Sequence, residues 1–385
     1  MFEAPVEFGG RYLAPGEHVA RRFFPSEQFP PTPPSDLFLA EKPEHGIRLF
    51  ALGESSTAGF PYPPNAMFSR LVADALTDVF PADTVEVVNL GIAATNSYAL
   101  VDFTDEIIAQ KPDAILIYSG HNEYYGALGA GSTESLGSFP AFVRLYLQLQ
   151  RLKTFVLFRN SIKRAAGAFS GKAETDATSP SRMESVARDQ RIELNGNTYR
   201  AGTRQFETNL AIVLRKFRKA GIPVFIGSLA SNLRDQPPLA FLSGDAGAAA
   251  PASSAFDSAG RLLAATDSTA ALAQFRRARD LDVVRFRAPS EFNAIVRRVA
   301  SGNSAHYVPV EESFRAAAQY GIPGHDLILE HVHPNARGYA LLGQAFVESI
   351  RASNVFPKAN FSRLRPYPEY ARRMALTTFD ERIAE

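Results

Sequence analysis

Four short apolar runs stand out along the chain: IRLFALG (47–53), VEVVNLG (85–91), AILIYSG (114–120) and PVFIGSL (223–229), each ending in glycine or small residues. Runs that are mainly apolar, rather than alternating, predict strands buried on both faces, as in a parallel sheet. Between them, residues 66–80 and 98–110 carry apolar positions at helical spacing. Strand and helix in alternation predict βαβ crossovers and a doubly wound α/β architecture. Near the end, HYVPV (306–310) reads as a further short strand and Asn335 to Ser353 as the last helix. The first 46 residues differ, with eight prolines among them, and read as an extended arm without helix. The expected organisation is an arm over 1–46, one α/β domain over 47–355 and a C-terminal tail over 356–385.

Two insertions interrupt the alternation. The first, about Gly126 to Arg200, predicts a helix from Phe139 to Phe169 between Gly/Ser/Thr-rich stretches. On its first turns Phe139, Phe142, Val143, Tyr146 and Leu149 fall on one side, with Arg144, Gln148 and Arg151 opposite. No acidic residue occurs between Ser138 and Lys172, where seven Lys and Arg lie among aromatic residues. Such a helix suits a lid over a site, or docking on an anionic membrane surface or a membrane-protein partner. The second insertion (243–301) begins at Ser243 with SGDAGAAAPASSAFDSAG, read as a small-residue linker, and continues into helices at Gly260–Asp280 and Ser290–Ser301.

Composition narrows the function classes. The 385 residues are 45% apolar, enough for a sizeable core, and 41 basic against 40 acidic side chains leave a net charge of +1. Nucleic-acid binding therefore lacks a cationic excess. With no cysteine, disulfide frameworks, thiolate metal sites and thiol nucleophiles are excluded. There is no run of ~18 apolar residues and no basic-then-apolar leader at Met1, so the chain reads as soluble, with its compartment unassigned and a peripheral place on a bacterial membrane left open.

In open parallel sheets, ligands sit beyond the carboxyl ends of the strands, and here those ends are polar. They read Gly53-Glu54-Ser55-Ser56-Thr57, Asn89-Leu90-Gly91, Gly120-His121-Asn122-Glu123 and, later, Glu330-His331-Val332-His333-Pro334-Asn335. Taken singly, the first is a helix cap, the second a turn glycine and the third a polar loop. The fourth places a carboxylate within reach of an imidazole on one tight turn, an arrangement that holds a tautomer and stabilises an imidazolium. Together and in this order, the four resemble the SGNH or GDSL hydrolase superfamily, whose blocks are Gly-Asp-Ser, a glycine, Gly-Xaa-Asn-Asp and Asp-Xaa-Xaa-His. The wording GESSTAGFPYP, GHNEYYG and HVHPNARGYALLG is similar to a bacterial subgroup of large, often membrane-anchored members.

The resemblance implies a flavodoxin-like fold with helical insertions and a serine esterase. Carried over by position, it makes Ser55 the nucleophile, His333 the base and Glu330 the acid. The amides of Ser55 and Gly91 and the side chain of Asn122 would form the oxyanion hole. Ser56 is a rival nucleophile by adjacency. Three departures stand out: glutamate replaces the family's aspartate at Glu54, Glu123 and Glu330, the first two reading as peripheral. His325, Glu330, His331 and His333 also suit a metal, but that reading leaves the serine and asparagine segments unexplained, and neither metal nor cofactor is expected. In RRARDLDVVRFRAPSEFN (276–293), Arg285, Arg287 or Asn293 would reach over the pocket and select an anionic or carbohydrate substrate. The expected activity is hydrolysis of a small ester such as an O-acylated carbohydrate; the alternative is a non-catalytic docking subunit on the same fold.

Overall fold

The structure, a computed structural model, describes residues 1–132, 140–150, 191–240 and 246–384, apart from Glu17, Ser26, Gln28 and Pro63. Three short strands of the arm, β1 (Phe2–Glu3), β2 (Tyr12–Pro15) and β3 (Phe38–Leu39), form a small antiparallel sheet. The main sheet is parallel, with β4 (Gly46–Gly53), β5 (Thr84–Asn89), β6 (Ala114–Tyr118), β7 (Val224–Gly227) and β8 (His306–Val308) in the order β5-β4-β6-β7-β8. Strands β4 to β7 lie on the four apolar runs and β8 on HYVPV, and the order reverses direction at β4. The carboxyl ends of β5, β4 and β6 therefore converge at a topological switch point, where a crevice opens.

Helices cover both faces, as a doubly wound sheet requires. After the single turn α1 (Ser55–Ala58), α2 (Phe68–Val79) packs on β5, and α3 (Ser97–Ile108) lies along β4. The described residues then give α4 (Pro140–Gln150), α5 (Asn197–Lys219), α6 (Ala246–Ala264), α7 (Ser268–Leu281), α8 (Ser290–Gly302), α9 (Val310–Ala317), α10 (Ala336–Ser353), α11 (Tyr367–Arg373) and α12 (Thr378–Ala384). One layer joins α2 to α10, and the other joins α3, α5 and α8. Tyr370 and Met374 of the C-terminal segment are buried in the same core.

The second insertion departs from expectation. Of the stretch read as a linker (243–260), residues 246–260 belong to α6, which pairs with α7, and the helix expected over 260–280 is broken at Ala265–Asp267. Alanine has the highest helix propensity, so an Ala-rich run is helical once a partner covers it. Buried Ala252 and Ala259 supply small contact positions, and Asp267 caps α7 by accepting from the Ala270 amide at 3.0 Å. Only the first turns of the basic aromatic helix are described. There Val143 and Leu147 are buried and α4 packs on α3, whereas Phe142 and Leu145 face out. Phe139 and residues 151–169, with most of the charge on which membrane docking was expected, lie outside the described residues. Among the described residues, no helix is long and apolar enough to cross a membrane.

The arm is held against the amino end of the sheet by one buried cation. Arg48 of β4 is 1% exposed, pairs with Glu86 at 2.7 Å, and donates to the carbonyls of Leu39 at 2.7 Å and Gln110 at 3.1 Å. Its guanidinium also covers the ring of Phe38. Removing it strands a buried carboxylate and two carbonyls. Arg48→Ala is therefore expected to lower the unfolding free energy by about 3 kcal/mol in urea titration; a loss below about 1 kcal/mol would show that the brace is dispensable.

Candidate active site

The crevice is assembled from strand ends that cannot be spaced apart. A Cβ at Gly53 would meet Thr57 Oγ1 and the Tyr118 carbonyl at 2.1 Å, so the chain turns from β4 straight into α1 against the end of β6. Ser55 opens that turn. Its Oγ lies 2.7 Å from His333 Nε2, and His333 Nδ1 is hydrogen-bonded to Glu330 Oε1. Glu330 Oε2 accepts from the Val332 amide at 2.8 Å and contacts His331 Nδ1 at 2.9 Å, so one carboxylate holds both imidazoles. Burial acts to raise the Glu330 pKa, but the two histidines outweigh it and hold the carboxyl well below its ordinary range. The turn is closed by the Leu329 amide on the His333 carbonyl at 2.9 Å, and Asn335 then caps α10. Ser56, the adjacent serine, is buried, and its hydroxyl donates to the Val332 carbonyl at 3.4 Å, away from both imidazoles.

Of the three expected oxyanion donors, the Ser55 amide and the Asn122 side-chain amide have no partner among the described residues, whereas the Gly91 amide donates to Asn89 Oδ1 at 2.8 Å. Gly91 is pressed on α1, where a Cβ would meet the Ala58 nitrogen at 2.4 Å. Asn89 does more than terminate β5. Its Nδ2 donates to the Thr57 carbonyl at 2.6 Å and to Ser69 Oγ at 2.9 Å, while its own amide is held by Asp36 of the arm at 2.8 Å. The arm thus buttresses the serine turn.

Arg285 and Asn293 do not reach over a pocket, and Arg287 is tied to the protein through every nitrogen of its guanidinium except Nε. All are buried and engaged within the protein. Arg285 donates to the carbonyls of Ile192 and Asp280, and Arg287 donates to those of Asn232 and Gln236 and pairs with Asp282. Asn293 bridges Leu229 and Glu311. Arginines spaced among aspartates in the sequence fit a surface ion-pair strip equally well, and only burial shows them to be internal braces.

The glutamates read as peripheral are central to the packing. Glu54, 3% exposed, accepts from Ser119 Oγ and the Gly120 amide, both at 2.9 Å, and from the Asn122 amide at 3.1 Å. Glu123 is fully buried and accepts from Ser97 Oγ at 2.7 Å and Gln205 at 2.6 Å. Burial pushes Glu54 up to about 7 and Glu123 up to about 8, against the hydrogen bonds each accepts. For Glu54, a folded pKa raised from 4.5 to about 7 means that folding takes up a proton in that window. The resulting stability is complete below the unfolded value and is lost as pH rises through the folded one. Glu54→Gln cannot titrate. The stability of wild type minus that of Glu54→Gln, from urea titrations, is expected to fall by about 3 kcal/mol between about pH 4 and pH 8; a flat difference would contradict a buried, proton-binding Glu54.

The sequence profile of the GDSL-like lipase/acylhydrolase family matches residues 51–341. No curated protein sequence matches the chain. Among solved structures, a catalytic mutant of an acetylxylan esterase from Geobacillus stearothermophilus is similar, at 14% identity and TM-score 0.40, over 80% of this chain and 96% of that one. A lipase/acylhydrolase from Enterococcus faecalis is similar at 15% identity and TM-score 0.38, over 83% of this chain and 98% of that one. On the family match, which spans the serine, asparagine and histidine segments alike, the chain belongs to the GDSL-like lipase/acylhydrolase family, the SGNH hydrolases that act on esters.

Proposed function

We propose that the chain is a serine esterase that works through an acyl-enzyme on Ser55. The supporting observation is the unbroken series Ser55 Oγ, His333 imidazole, Glu330 carboxylate, with 2.7 Å between hydroxyl and imidazole. In this reading Ser55 Oγ attacks the ester carbonyl while His333 Nε2 takes its proton, and Glu330 fixes the tautomer and stabilises the imidazolium. The oxyanion is received by the Ser55 amide and the Asn122 side chain, with the Gly91 amide shared between it and Asn89. The imidazolium then protonates the departing alcohol. Water enters, gives a proton to His333, and releases the acid by the same steps in reverse. A subunit that only docked would have no use for an aligned serine and imidazole.

The leaving alcohol belongs beside His333, and there the wall is aromatic. Phe60 is 50% exposed, its ring centroid lies 4.8 Å from that of His333, and its backbone is pinned by bonds to Ser55 and Tyr339. A half-exposed ring at the mouth offers a stacking face for a pyranose, which favours an O-acylated carbohydrate as substrate. Ser55→Ala and His333→Ala are each expected to lower kcat for a short-chain aryl ester by ~10⁴ or more, Glu330→Gln by less, and Asn122→Ala by ~10²–10³. A fluorophosphonate should label the wild type at Ser55. Activity in Ser55→Ala with loss in Ser56→Ala, or a dead His331→Ala beside an active His333→Ala, would overturn the assignment.

A further inference from the structure

Beside the turn that carries His333, four buried polar groups have no hydrogen-bond partner among the described residues: His121 Nε2, Ser231 Oγ, Asn232 Nδ2 and Arg287 Nε. The four residues are at most 4% exposed. Each such group left dry costs stability, so native proteins seldom keep one without a use, and four neighbours are more unusual still. His121, Asn232 and the segment of Arg287 are linked by hydrogen bonds, and Ser231 adjoins Asn232 in the chain. Arg287 donates to the Asn232 carbonyl at 2.9 Å, the next residue, Ala288, donates to His121 Nδ1 at 3.3 Å, and the Asn232 amide donates to the His331 carbonyl at 3.0 Å. His121 follows β6 and Ser231 and Asn232 follow β7, adjacent strands whose carboxyl ends border the crevice.

The chemistry of the set is one-sided. Because His121 Nδ1 accepts the Ala288 amide, the ring proton sits on Nε2 and makes it a donor. Burial, with His331 and His333 nearby, lowers the His121 pKa to about 3, so the ring is neutral and keeps that tautomer. Asn232 Nδ2 and Arg287 Nε donate only, and the Ser231 hydroxyl can donate. Around them Arg279, Arg285 and Arg287 stand against Asp280, Asp282 and Glu330, so the surrounding charges balance. Donors left without an acceptor call for a group that brings several lone pairs at once, as a carboxylate does.

We infer that His121, Ser231, Asn232 and Arg287 form a subsite for a carboxylate carried by the ester substrate. The inference rests on the esterase reading and adds to it the substrate's charge. The subsite selects substrate and takes no part in bond making.

Two pairs of esters test it and locate the carboxylate. On the acyl side, para-nitrophenyl hemisuccinate is compared with para-nitrophenyl butyrate; on the alcohol side, para-acetoxybenzoate is compared with para-acetoxybenzamide. The wild type is expected to favour the charged member of one pair in kcat/KM. That preference should fall about tenfold in Ser231→Ala and in His121→Asn, which keeps an acceptor for the Ala288 amide but removes the Nε2 donor. It should reverse in Asn232→Asp, which keeps the Oδ1 that accepts the Asp235 amide at 3.0 Å but sets an anion in place of the donor. Equal rates within both wild-type pairs, or variants that slow charged and neutral esters alike, would overturn the subsite and leave the four groups to buried water. If no ester is turned over, the esterase reading fails and calorimetry decides the subsite. Succinate, but not dimethyl succinate, should bind Ser55→Ala and should lose binding when Asn232→Asp is added; absence of succinate binding would overturn it.

Discussion

The buried carboxylate of Glu54 joins the end of β4 to the end of β6, and the geometry of the crevice depends on that junction. Parallel strands stop with unpaired amides pointing past the sheet. Those of Gly120 and Asn122 would be left dry at this depth, and Glu54 takes both while also holding the Ser119 hydroxyl. Because Glu54 immediately precedes Ser55, the same bonds set the distance between the serine and the asparagine that faces it. Thr57 adds a second tie by donating to the Tyr118 carbonyl at 2.8 Å. Burial of the carboxylate is the cost of this junction, visible in a pKa moved up to about 7.

On the other flank, the junction is made by amide chemistry rather than charge. Asn89 bonds the Thr57 carbonyl, Ser69 and the Gly91 amide, so β5, α2 and the serine turn meet on one side chain. Asp36 holds the Asn89 amide and pairs with Arg70 at 2.5 Å, which carries the arm into the same network. A proline-rich segment whose only helical turns are the short 3-10 pieces Val6–Phe8 and Val19–Arg22, contrary to the expectation of no helix, is well suited to this, since it delivers one carboxylate at a fixed place. The arm is therefore part of what positions the site, although none of its described residues bonds to Ser55, Asn122, Glu330 or His333.

Much of this was legible in the sequence wherever the signal is local. The four apolar runs and HYVPV gave the five parallel strands, and the polar segments gave Ser55, Glu330 and His333, which the structure brings into hydrogen-bond contact. What stayed hidden depends on depth or on a partner. Ala246 to Gly260 looks like a linker because alanine and serine carry no apolar stripe, and it becomes part of a helix against α7. Arg285 and Arg287 were expected over the pocket because sequence does not distinguish a guanidinium free to meet substrate from one bonded to buried carbonyls. Helix α5 does carry an apolar period through Phe206, Leu210, Val213 and Phe217, but Arg and Lys on its outer face and the small-residue stretch before it blur its start.

The three glutamates that depart from the family's aspartates have a common physical use. An added methylene carries a carboxylate roughly a bond length further from its own backbone, far enough to bond partners on a second segment. Glu54 uses that reach to span from β4 to the loop after β6, and Glu123 uses it to join the N-terminus of α3 to Gln205 of α5. In Glu330 the two oxygens diverge, one toward His333 and the other toward His331 and the Val332 amide. A carboxylate shared in this way resists rotation, because turning it to leave one imidazole would also break its bond to the other and to the turn. Length gained at Glu330 is thereby converted into fixed orientation of His333, so the substitution does not by itself weaken the link between acid and imidazole.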